Sequence, residues 1–267
     1  MRAQTALITG ASSGIGSELA KLAAADGCGL VLVSRRQDRL EALASDLSVA
    51  HGIAARVLTA DLARPGSPRR IFEDLEKERV AVDILVNNAG LGLYGEFSTS
   101  DLDRQLEVVE VNVVALTELT RLLLPGMIER GRGRILNVAS TAAFQPGPYM
   151  AVYYATKAYV LSFSEALAEE LKETGVTVSA LCPGPVTTEF QEVAGVDAAL
   201  FPKPLVMEAS DVARAGWAAA KRGKRVVIPG IANRVMKETV RFSPRRLVTA
   251  AAGRLQKKRD PGKKRAH

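Results

Sequence analysis

The sequence predicts an α/β fold in which one doubly wound, seven-stranded parallel sheet carries helices on both faces. Short runs of β-branched and Leu-rich residues alternate with longer amphipathic runs, which implies βαβ crossovers. Runs such as residues 30–33 and 84–86 are apolar without interruption, as strands buried on both faces should be. The length of 267 residues and the hydrophobic content of 47% suit a single domain of this class and exclude a disordered chain.

Seven strands alternate with six helices in this prediction. The strands are expected near residues 4–9, 29–34, 54–59, 82–87, 133–138, 175–181 and 224–229, and the helices near residues 14–26, 37–50, 66–79, 100–130, 152–173 and 209–221. The segment 189–208 has no clear periodicity, so we expect it to leave the sheet and act as a lid. If its apolar residues line the cleft, the substrate is largely apolar; the alternative is that half of them are ordinary packing residues. These residues are Phe190, Val193, Val196, Leu200, Phe201, Leu205, Val206 and Met207.

The sequence predicts a domain over residues 1–230 and a basic extension over residues 231–267. From Lys221 onward, sixteen Lys and Arg residues stand against two acidic residues, a net charge of +14, whereas the first 220 residues sum to −7. A basic tail attracts membrane surfaces, nucleic acid or acidic proteins. Only Phe242 interleaves the positive charges, so the stacking platforms that specific nucleic-acid binding needs are not expected.

Two helix-like stretches, residues 232–242 and 245–257, make up most of the extension and are broken at Pro244. We hypothesise that they border the substrate cleft or lie reversibly on an anionic membrane surface. The alternative is a solvated tail. The mostly charged residues from Lys257 to the last residue are expected to be disordered.

The scarcity of cysteine and histidine excludes several chemistries. With only Cys28, Cys182, His51 and His267, neither a Cys-rich zinc site nor a His-based triad is expected, and no metal is predicted. The low cysteine content also suggests a reducing, cytoplasmic setting. The sequence shows no signal-peptide core, and no stretch approaches about 18 uncharged apolar residues, so we expect no bilayer span.

The first predicted strand ends in a glycine-rich loop that leads into the first helix. Glycines in residues 9–16 let the backbone approach phosphates, and the helix N-terminus offers free N–H groups and a positive dipole. The loop therefore predicts a pyrophosphate site; the alternative is a turn that merely caps a helix. The candidate residues are Gly10, Ser12, Ser13, Gly14, Ile15 and Gly16.

A second glycine pattern, at residues 90–95, matches the usual dinucleotide expression G-x-G-x-x-G. Residues 96–99 intervene before any helix, so no helix is expected to open at its third glycine. We therefore interpret this match as mostly accidental.

The second predicted strand ends in Arg35 and Arg36, where a binder of NAD usually carries an acidic residue for the ribose 2′-OH. Two guanidinium groups could clamp a 2′-phosphate, which favours NADP(H) over NAD(H). Asp38 lies close by and weakens this preference. The alternative is a pair of solvated arginines.

The candidate catalytic group combines a helix with a strand end. Tyr153 and Lys157 are one turn apart in a predicted helix, and a neighbouring ammonium should lower the pKa of the phenol. Ser140 follows a predicted strand and either donates to a substrate carbonyl or is a turn serine. Asn112 lies in an otherwise apolar helical run, where it either bonds the backbone or holds a water that passes protons to Lys157.

These motifs, in this order, resemble those of the short-chain dehydrogenase/reductase family over about residues 4–230. The resemblance implies a Rossmann-like domain that transfers a hydride between a nicotinamide and a carbonyl or secondary alcohol. The motifs that carry it are Thr9-Gly10-x-x-x-Gly14-x-Gly16, Asp61, Asn87-Asn88-Ala89-Gly90, Asn112, Ser140, Tyr153-x-x-x-Lys157 and Pro183-Gly184.

The resemblance also implies a role for each matching residue. Tyr153 exchanges the proton with the substrate oxygen, and Lys157 lowers its pKa and holds the nicotinamide ribose. Ser140 polarises the carbonyl, and Asn112 supports the proton relay. The implied cofactor contacts are Asp61 and Leu62 at adenine, Asn88, Ala89 and Gly90 at the adjacent ribose, and Val186 and Thr188, after Pro183 and Gly184, at the carboxamide end.

The extension resembles that of members acting on acyl, steroid or other lipid-like ketones, which favours an apolar ketone or 3-oxoacyl substrate. Because the extension follows the last strand, where many members build a tetramer, we expect a homo-oligomer that is a dimer rather than a tetramer. We expect the protein in the cytoplasm, in peripheral contact with the inner membrane surface. The alternative function is a dinucleotide-sensing regulatory or membrane-associated protein of the same fold; such regulators typically lose the Tyr or the Lys.

Overall fold

Seven parallel strands form the central sheet of the computed structural model, which describes residues 3–196 and 201–257. They are β1 (Thr5–Thr9), β2 (Gly29–Ser34), β3 (Ala55–Thr59), β4 (Ile84–Asn87), β5 (Gly133–Val138), β6 (Val176–Leu181) and β9 (Val226–Val227). Two further short strands, β7 (Val186–Thr187) and β8 (Met207–Glu208), pair in parallel outside this sheet. The spatial order β3-β2-β1-β4-β5-β6-β9 changes direction between β1 and β4, which places a ligand crevice beyond their carboxyl ends. The predicted fold class is confirmed.

Ten α-helices connect and follow these strands in the described residues. They are α1 (Gly14–Ala25), α2 (Gln37–His51), α3 (Ser67–Lys77), α4 (Leu102–Val109), α5 (Leu116–Glu129), α6 (Ala151–Glu170), α7 (Phe190–Ala194), α8 (Ala209–Lys221), α9 (Ile231–Phe242) and α10 (Arg245–Lys257). The single helix predicted near residues 100–130 consists of α4, a π-helical turn over Glu110–Ala115, and α5. The predicted lid contains β8, the short α7 and a 3-10 turn over Lys203–Leu205.

Two apolar cores lie on opposite faces of the sheet because the side chains of each strand alternate in direction. In β1, Ala6 and Ile8 belong to the core under α1, α2 and α8. Leu7 belongs to the core under α3, α5 and α6. Both faces of the strand are therefore buried, which is the physical reason for its uninterrupted apolar sequence.

A buried polar network ties the middle of the sheet to the helices on one face. The Asn87 side-chain amide donates to Asn137 Oδ1 at 2.9 Å and to Thr120 Oγ1 at 3.0 Å. The Asn137 amide donates in turn to Ser164 Oγ at 2.9 Å. The network thereby fixes α5 and α6 against β4 and β5, directly below the carboxyl ends of these strands.

Among the described residues, one helical segment, Leu102–Glu129, is long and apolar enough to cross a membrane by length and composition alone. Ala115, Leu119 and Leu123 of this segment are buried in the core against the sheet. The segment is therefore packed as a core helix of the fold.

The described part of the extension packs on the domain. Asn233 of α9 is fully buried, and its amide donates to the carbonyl oxygens of Leu205 and Pro229 at 3.2 Å. On α10, the carbonyl of Gln256 accepts a 2.7 Å hydrogen bond from the Tyr94 hydroxyl. Residues 231–257 are thus not a solvated tail. The predictions for Leu200 and for the charged residues after 257 lie outside the described residues.

Candidate active site

A cleft of about 490 Å³ opens at the carboxyl ends of the central strands. It is lined by the glycine loop at one end and by the lid and α10 at the other. Of the residues that the sequence predicts for catalysis and cofactor binding, all but Gly16 and Asn112 line this cleft. The structure therefore brings together candidate residues from every part of the domain.

The glycine loop has the backbone conformation that a close phosphate approach requires. Gly10 and Gly14 have φ values of +65° and +56°, a region in which residues with a side chain are strained. Gly16 is buried beneath the loop. A Cβ atom at this position would lie 2.3 Å from the Gly10 carbonyl oxygen, so the packing leaves no room for a side chain. Among the described residues, no side chain caps the N-terminus of α1. Its free N–H groups fit a pyrophosphate group.

A second loop, following β4, is fastened to the glycine loop by Thr9 and Asn88. The Thr9 hydroxyl oxygen accepts hydrogen bonds from the N–H groups of Asn88 and Ala89, both at 3.0 Å. The Asn88 amide donates to the carbonyl oxygens of Thr9 and Gly10 at 2.9 and 3.2 Å. Thr9 thus positions both loops, a role that its place at the end of a strand does not reveal.

Arg36 lies at the entrance of the cleft and is held on two sides. Its guanidinium donates to Ser12 Oγ at 2.9 and 3.1 Å, to Ser13 Oγ at 2.7 Å, and to Glu189 Oε2 at 2.6 Å. Arg39, one turn into α2, donates to the other oxygen of Glu189 at 2.7 Å. Because two guanidinium groups bind this carboxylate, they lower the pKa of Glu189 to about 2. Arg35 also lines the cleft and is exposed.

The predicted catalytic pair is adjacent to Ser140, with all three side chains in the cleft wall. Ser140 lies next to Tyr153, where its hydroxyl acts on the pKa of the phenol. Lys157, 5% exposed, donates to the carbonyl of Val138 at 2.8 Å, and its Nζ lies 5.8 Å from the centre of the Tyr153 ring. The ring of Tyr153 also contacts the Phe190 ring of α7, with centroids 5.4 Å apart.

The expected lowering of the Tyr153 pKa is wrong for this structure. Burial raises the pKa of Tyr153 well above its ordinary value, and the Ser140 hydroxyl only partly opposes that effect. Lys157 points its ammonium at a backbone carbonyl, and burial lowers its own pKa to about 8. The sequence shows which groups are neighbours along a helix, but the desolvation of each group follows from the tertiary packing.

Asn112 lies in the π-helical turn, behind the cleft wall. Its Oδ1 accepts from the N–H of Leu91 at 2.8 Å, and its amide donates to the Leu91 carbonyl and to Thr156 Oγ1, both at 2.9 Å. A Cβ atom at Gly90 would lie 3.3 Å from both Asn112 Oδ1 and Lys157 Nζ. Asn112 therefore bonds the backbone, as one interpretation expected, and both Asn112 and Lys157 lie beside Gly90.

Apolar side chains from the lid and the extension line the substrate end of the cleft. Val206 and Met207, which the sequence also placed there, do not line it, because Met207 pairs in β8 and packs on the core. The Gln256 amide donates to the Tyr154 hydroxyl at 3.0 Å, so α10 closes over the residue beside Tyr153, the candidate catalytic tyrosine. The lining residues from these two segments include Phe190, Val193, Val196, Phe201, Leu205, Met236, Ala252, Leu255 and Gln256.

The second glycine pattern opens no helix, because α4 begins only at Leu102. Gly92 packs instead against α7, where a Cβ atom would lie 2.8 Å from Phe190 Cζ. The pattern therefore serves the contact between the loop and the lid.

Sequence reasoning missed Glu189, Arg39 and Gln256, and it gave Thr9 no role beyond its place in the glycine motif. Glu189 contacts Arg36 across 153 positions, and Gln256 contacts Tyr94 across 162. The local sequence gives no indication of either contact. Only the basic pair at the end of β2 indicated that an anion should be held nearby.

Comparisons with known proteins agree with this geometry. Residues 4–198 match the family profile described as short chain dehydrogenase. A short-chain dehydrogenase from Sphingobium yanoikuyae, solved in complex with NADPH, superposes with a TM-score of 0.80 at 36% identity, covering 89% of this chain and 93% of that one. The bulky-bulky ketone specific alcohol dehydrogenase from Comamonas testosteroni superposes with a TM-score of 0.77 at 29% identity, covering 91% and 96%.

Curated relatives match over a shorter share of their length. The very-long-chain 3-oxoacyl-CoA reductase of Anas platyrhynchos is 34% identical over 194 residues, which cover 70% of this chain and 61% of the relative. The chain spans about 60% of the length of the curated relatives it matches.

Proposed function

Because the chain belongs to the short-chain dehydrogenase/reductase family, we propose that it is an NADP(H)-dependent oxidoreductase that interconverts a carbonyl group and a secondary alcohol. The observation that carries this proposal is that Tyr153, Ser140 and Lys157 line the same cleft as the glycine loop, with Lys157 Nζ 5.8 Å from the centre of the Tyr153 ring. A regulator that binds the cofactor without turnover would have no use for this arrangement.

The side chains of this chain orient the substrate and move its proton. A carbonyl oxygen placed between Tyr153 and Ser140 accepts a hydrogen bond from each hydroxyl, which polarises the carbonyl carbon. The bound dinucleotide supplies the hydride. Because its pKa is raised, Tyr153 is a protonated phenol that donates its proton to the developing alkoxide during reduction. Lys157, with a pKa of about 8, can replace that proton near neutral pH.

The residues at the adenosine end fit NADP(H). Arg36 is held by two serines of the glycine loop, and Arg35 lines the same part of the cleft. Guanidinium groups bind phosphate oxygens in a bidentate manner, so they suit a 2′-phosphate better than a bare ribose. The similar enzyme from Sphingobium yanoikuyae was solved with NADPH, which supports the same preference here.

We propose an apolar ketone or a 3-oxoacyl thioester as the substrate. The cleft wall beyond Tyr153 consists largely of apolar side chains from the lid and α10. The similar proteins named for bulky ketones and for very-long-chain 3-oxoacyl-CoA support this class.

A panel of ketones and 3-oxoacyl thioesters of graded chain length, followed by NADPH absorbance, tests the proposal. We expect kcat/KM to rise with chain length, by up to about tenfold for each two buried methylene groups. Equal rates at all lengths would contradict the apolar cleft. Binding of NADPH without turnover of any compound would favour the regulatory alternative.

We further propose peripheral binding to an anionic membrane surface in the cytoplasm, through α9 and α10. Five large apolar side chains on these helices are exposed: Ile231, Val235, Phe242, Leu247 and Leu255. Exposed Arg234, Arg241, Arg246 and Arg254 lie among them. Basic side chains attract anionic lipid headgroups while the apolar ones enter the interface. Leu255 also lines the cleft, so this surface adjoins the route by which an apolar substrate would enter.

We propose that the protein forms a homodimer rather than a tetramer. The helices α4 and α6 pack side by side, and Leu106 of α4, Val114 of the π-helical turn and Tyr159 of α6 are exposed. Such apolar patches are typical of subunit contacts. Light scattering should give the mass of two chains, and Leu106→Glu should reduce it to one; a monomeric or tetrameric wild type would contradict the proposal.

A further inference from the structure

An acidic side chain at the start of the lid occupies the cationic end of the cleft. Glu189 directly follows Thr188, and its carboxylate bridges Arg36 and Arg39 at 2.6 and 2.7 Å. The side chains of Arg36, Arg39 and Glu189 are 39%, 46% and 45% exposed, so solvent and solutes reach all three. The contact joins the lid to the first turn of α2.

The geometry around Arg36 leaves one edge of its guanidinium for an external anion. Ser12 and Ser13 accept hydrogen bonds from its Nε and one terminal nitrogen. Its other terminal nitrogen points to Glu189. The glycine loop therefore orients Arg36 so that its outer edge faces Glu189, and Arg39 faces the same carboxylate from α2.

We propose that Glu189 holds the place of the NADP(H) 2′-phosphate, that this phosphate displaces it, and that Arg39 is a further cationic ligand of the phosphate. The inference rests on the proposed NADP(H) dependence and identifies two residues that determine cofactor choice. It also makes the start of the lid responsive to the phosphate, because an anion that replaces Glu189 at the two arginines releases it from α2.

Charge balance is the reason for the exchange. The three arginines at this end of the cleft, Arg35, Arg36 and Arg39, together with the carboxylates of Asp38 and Glu189, carry one positive charge. A phosphate dianion added beside Glu189 would leave the cluster with a net negative charge and two anions in contact, whereas exchange leaves it neutral. Exposed ion pairs contribute little net stability, so the phosphate, with more charge and three acceptor oxygens, displaces the carboxylate. NADH lacks this phosphate and leaves Glu189 in its place.

Calorimetric titration of the full chain with adenosine 2′-monophosphate, adenosine 5′-monophosphate and inorganic phosphate tests the inference. We expect Glu189→Gln to tighten binding of the 2′-monophosphate by about three- to tenfold, because the internal competitor loses its charge. Arg39→Gln should weaken it by about tenfold, as loss of a charge-assisted hydrogen bond does. Neither variant should change binding of the 5′-monophosphate by more than about twofold.

Glu192→Gln and Arg121→Gln are the matched controls. Glu192 lies one turn further along the lid, Arg121 lies on α5, and neither makes an ion pair among the described residues. Both controls should bind the 2′-monophosphate like the wild type, and all four variants change exposed side chains, so folding should be retained by circular dichroism.

The inference is overturned if Glu189→Gln leaves binding of the 2′-monophosphate unchanged or weaker, or if Arg39→Gln has no effect. It is also overturned if inorganic phosphate binds as tightly as the 2′-monophosphate, since the cluster would then be a general anion site. Failure of the proposed function gives a different result: the wild type itself would bind the 2′- and 5′-monophosphates equally.

Discussion

The ammonium group of Lys157 donates a 2.8 Å hydrogen bond to the main-chain carbonyl of Val138, the last residue of β5. This bond anchors α6, which carries Tyr153 and Lys157, to the end of the strand that leads to Ser140. Lys157 is nevertheless taken out of water, and burial lowers its pKa to about 8. Burial of this lysine therefore lowers the free energy of unfolding, by an amount that depends on pH.

The first prediction concerns Lys157→Met and the free energy of unfolding. Between the folded pKa of about 8 and an unfolded value of about 10.4, the unfolded chain binds a proton that the folded chain does not. The stability of the wild type relative to the variant should therefore rise with pH, by up to about 1.4 kcal/mol per unit, and level off below pH 8. Urea unfolding at a series of pH values measures this difference; parallel curves for the two proteins would show that the folded lysine titrates normally.

The second prediction concerns Tyr153→Phe, which removes the proton donor but keeps the ring against Phe190. Turnover should fall by about 10²- to 10⁴-fold, the usual contribution of a positioned general acid, while the Kd for NADPH stays within about twofold. Steady-state assays measure the turnover, and fluorescence titration measures the Kd for NADPH. Tyr159→Phe is the control, because this exposed hydroxyl contacts only Thr117 and should be dispensable. Equal turnover in the two variants would remove Tyr153 from its role.

The third prediction concerns the two arginines at the end of β2. Changing Arg35 and Arg36 to Ala should weaken NADPH binding by at least about tenfold and leave NADH within about twofold, because only NADPH presents a phosphate to them. Among the single variants, Arg36→Ala should have the larger effect, since Ser12 and Ser13 orient its guanidinium. Equal losses for both cofactors would mean that the arginines support the loop and do not select the phosphate.

The order of strands and helices was predictable because the central strands β1, β2, β4, β5 and β6 are buried on both faces and the helices that flank them bury one face. Local spacing also identified Tyr153 and Lys157, since residues one turn apart share a helix face. The glycine loop was readable because few other residues tolerate its backbone conformation.

The contacts of Glu189 and Gln256 could not be predicted, because each joins segments more than 100 positions apart. The raised pKa of Tyr153 was missed for a related reason. Its sign depends on how completely the lid ring of Phe190 and the surrounding wall exclude water, and helix spacing contains no information about that. The π-helical turn was also not predicted. The sequence indicated only that Asn112 is a poor helix residue within an apolar run.

The fourth prediction separates the two glycine patterns. Gly16→Ala should abolish NADPH binding, because its Cβ would lie 2.3 Å from the carbonyl oxygen of Gly10 and force the phosphate loop apart. Gly92→Ala should keep NADPH binding and raise KM for the carbonyl substrate, because its Cβ would press on Phe190 of the lid. Titration and steady-state kinetics on both variants measure the difference. A loss of NADPH binding in Gly92→Ala would show that the second pattern also binds the dinucleotide.

The fifth prediction tests the membrane surface by co-sedimentation with vesicles. Deleting residues 231–257 would also remove Ala252 and Gln256 from the cleft, so point changes are the cleaner experiment. Phe242 and Leu247 are 82% and 65% exposed, so most of the apolar area of each side chain is available for contact with a membrane.

Phe242→Ser combined with Leu247→Ser should weaken binding to phosphatidylcholine vesicles containing phosphatidylserine by at least about tenfold. The control Val49→Ser, which changes an 85% exposed apolar residue on α2, should bind like the wild type. Binding should also weaken with added salt and on pure phosphatidylcholine, because the arginines of α9 and α10 act through a screened attraction. Vesicle binding that is equal in the double variant and the control would assign the exposed residues of α9 and α10 to some other contact.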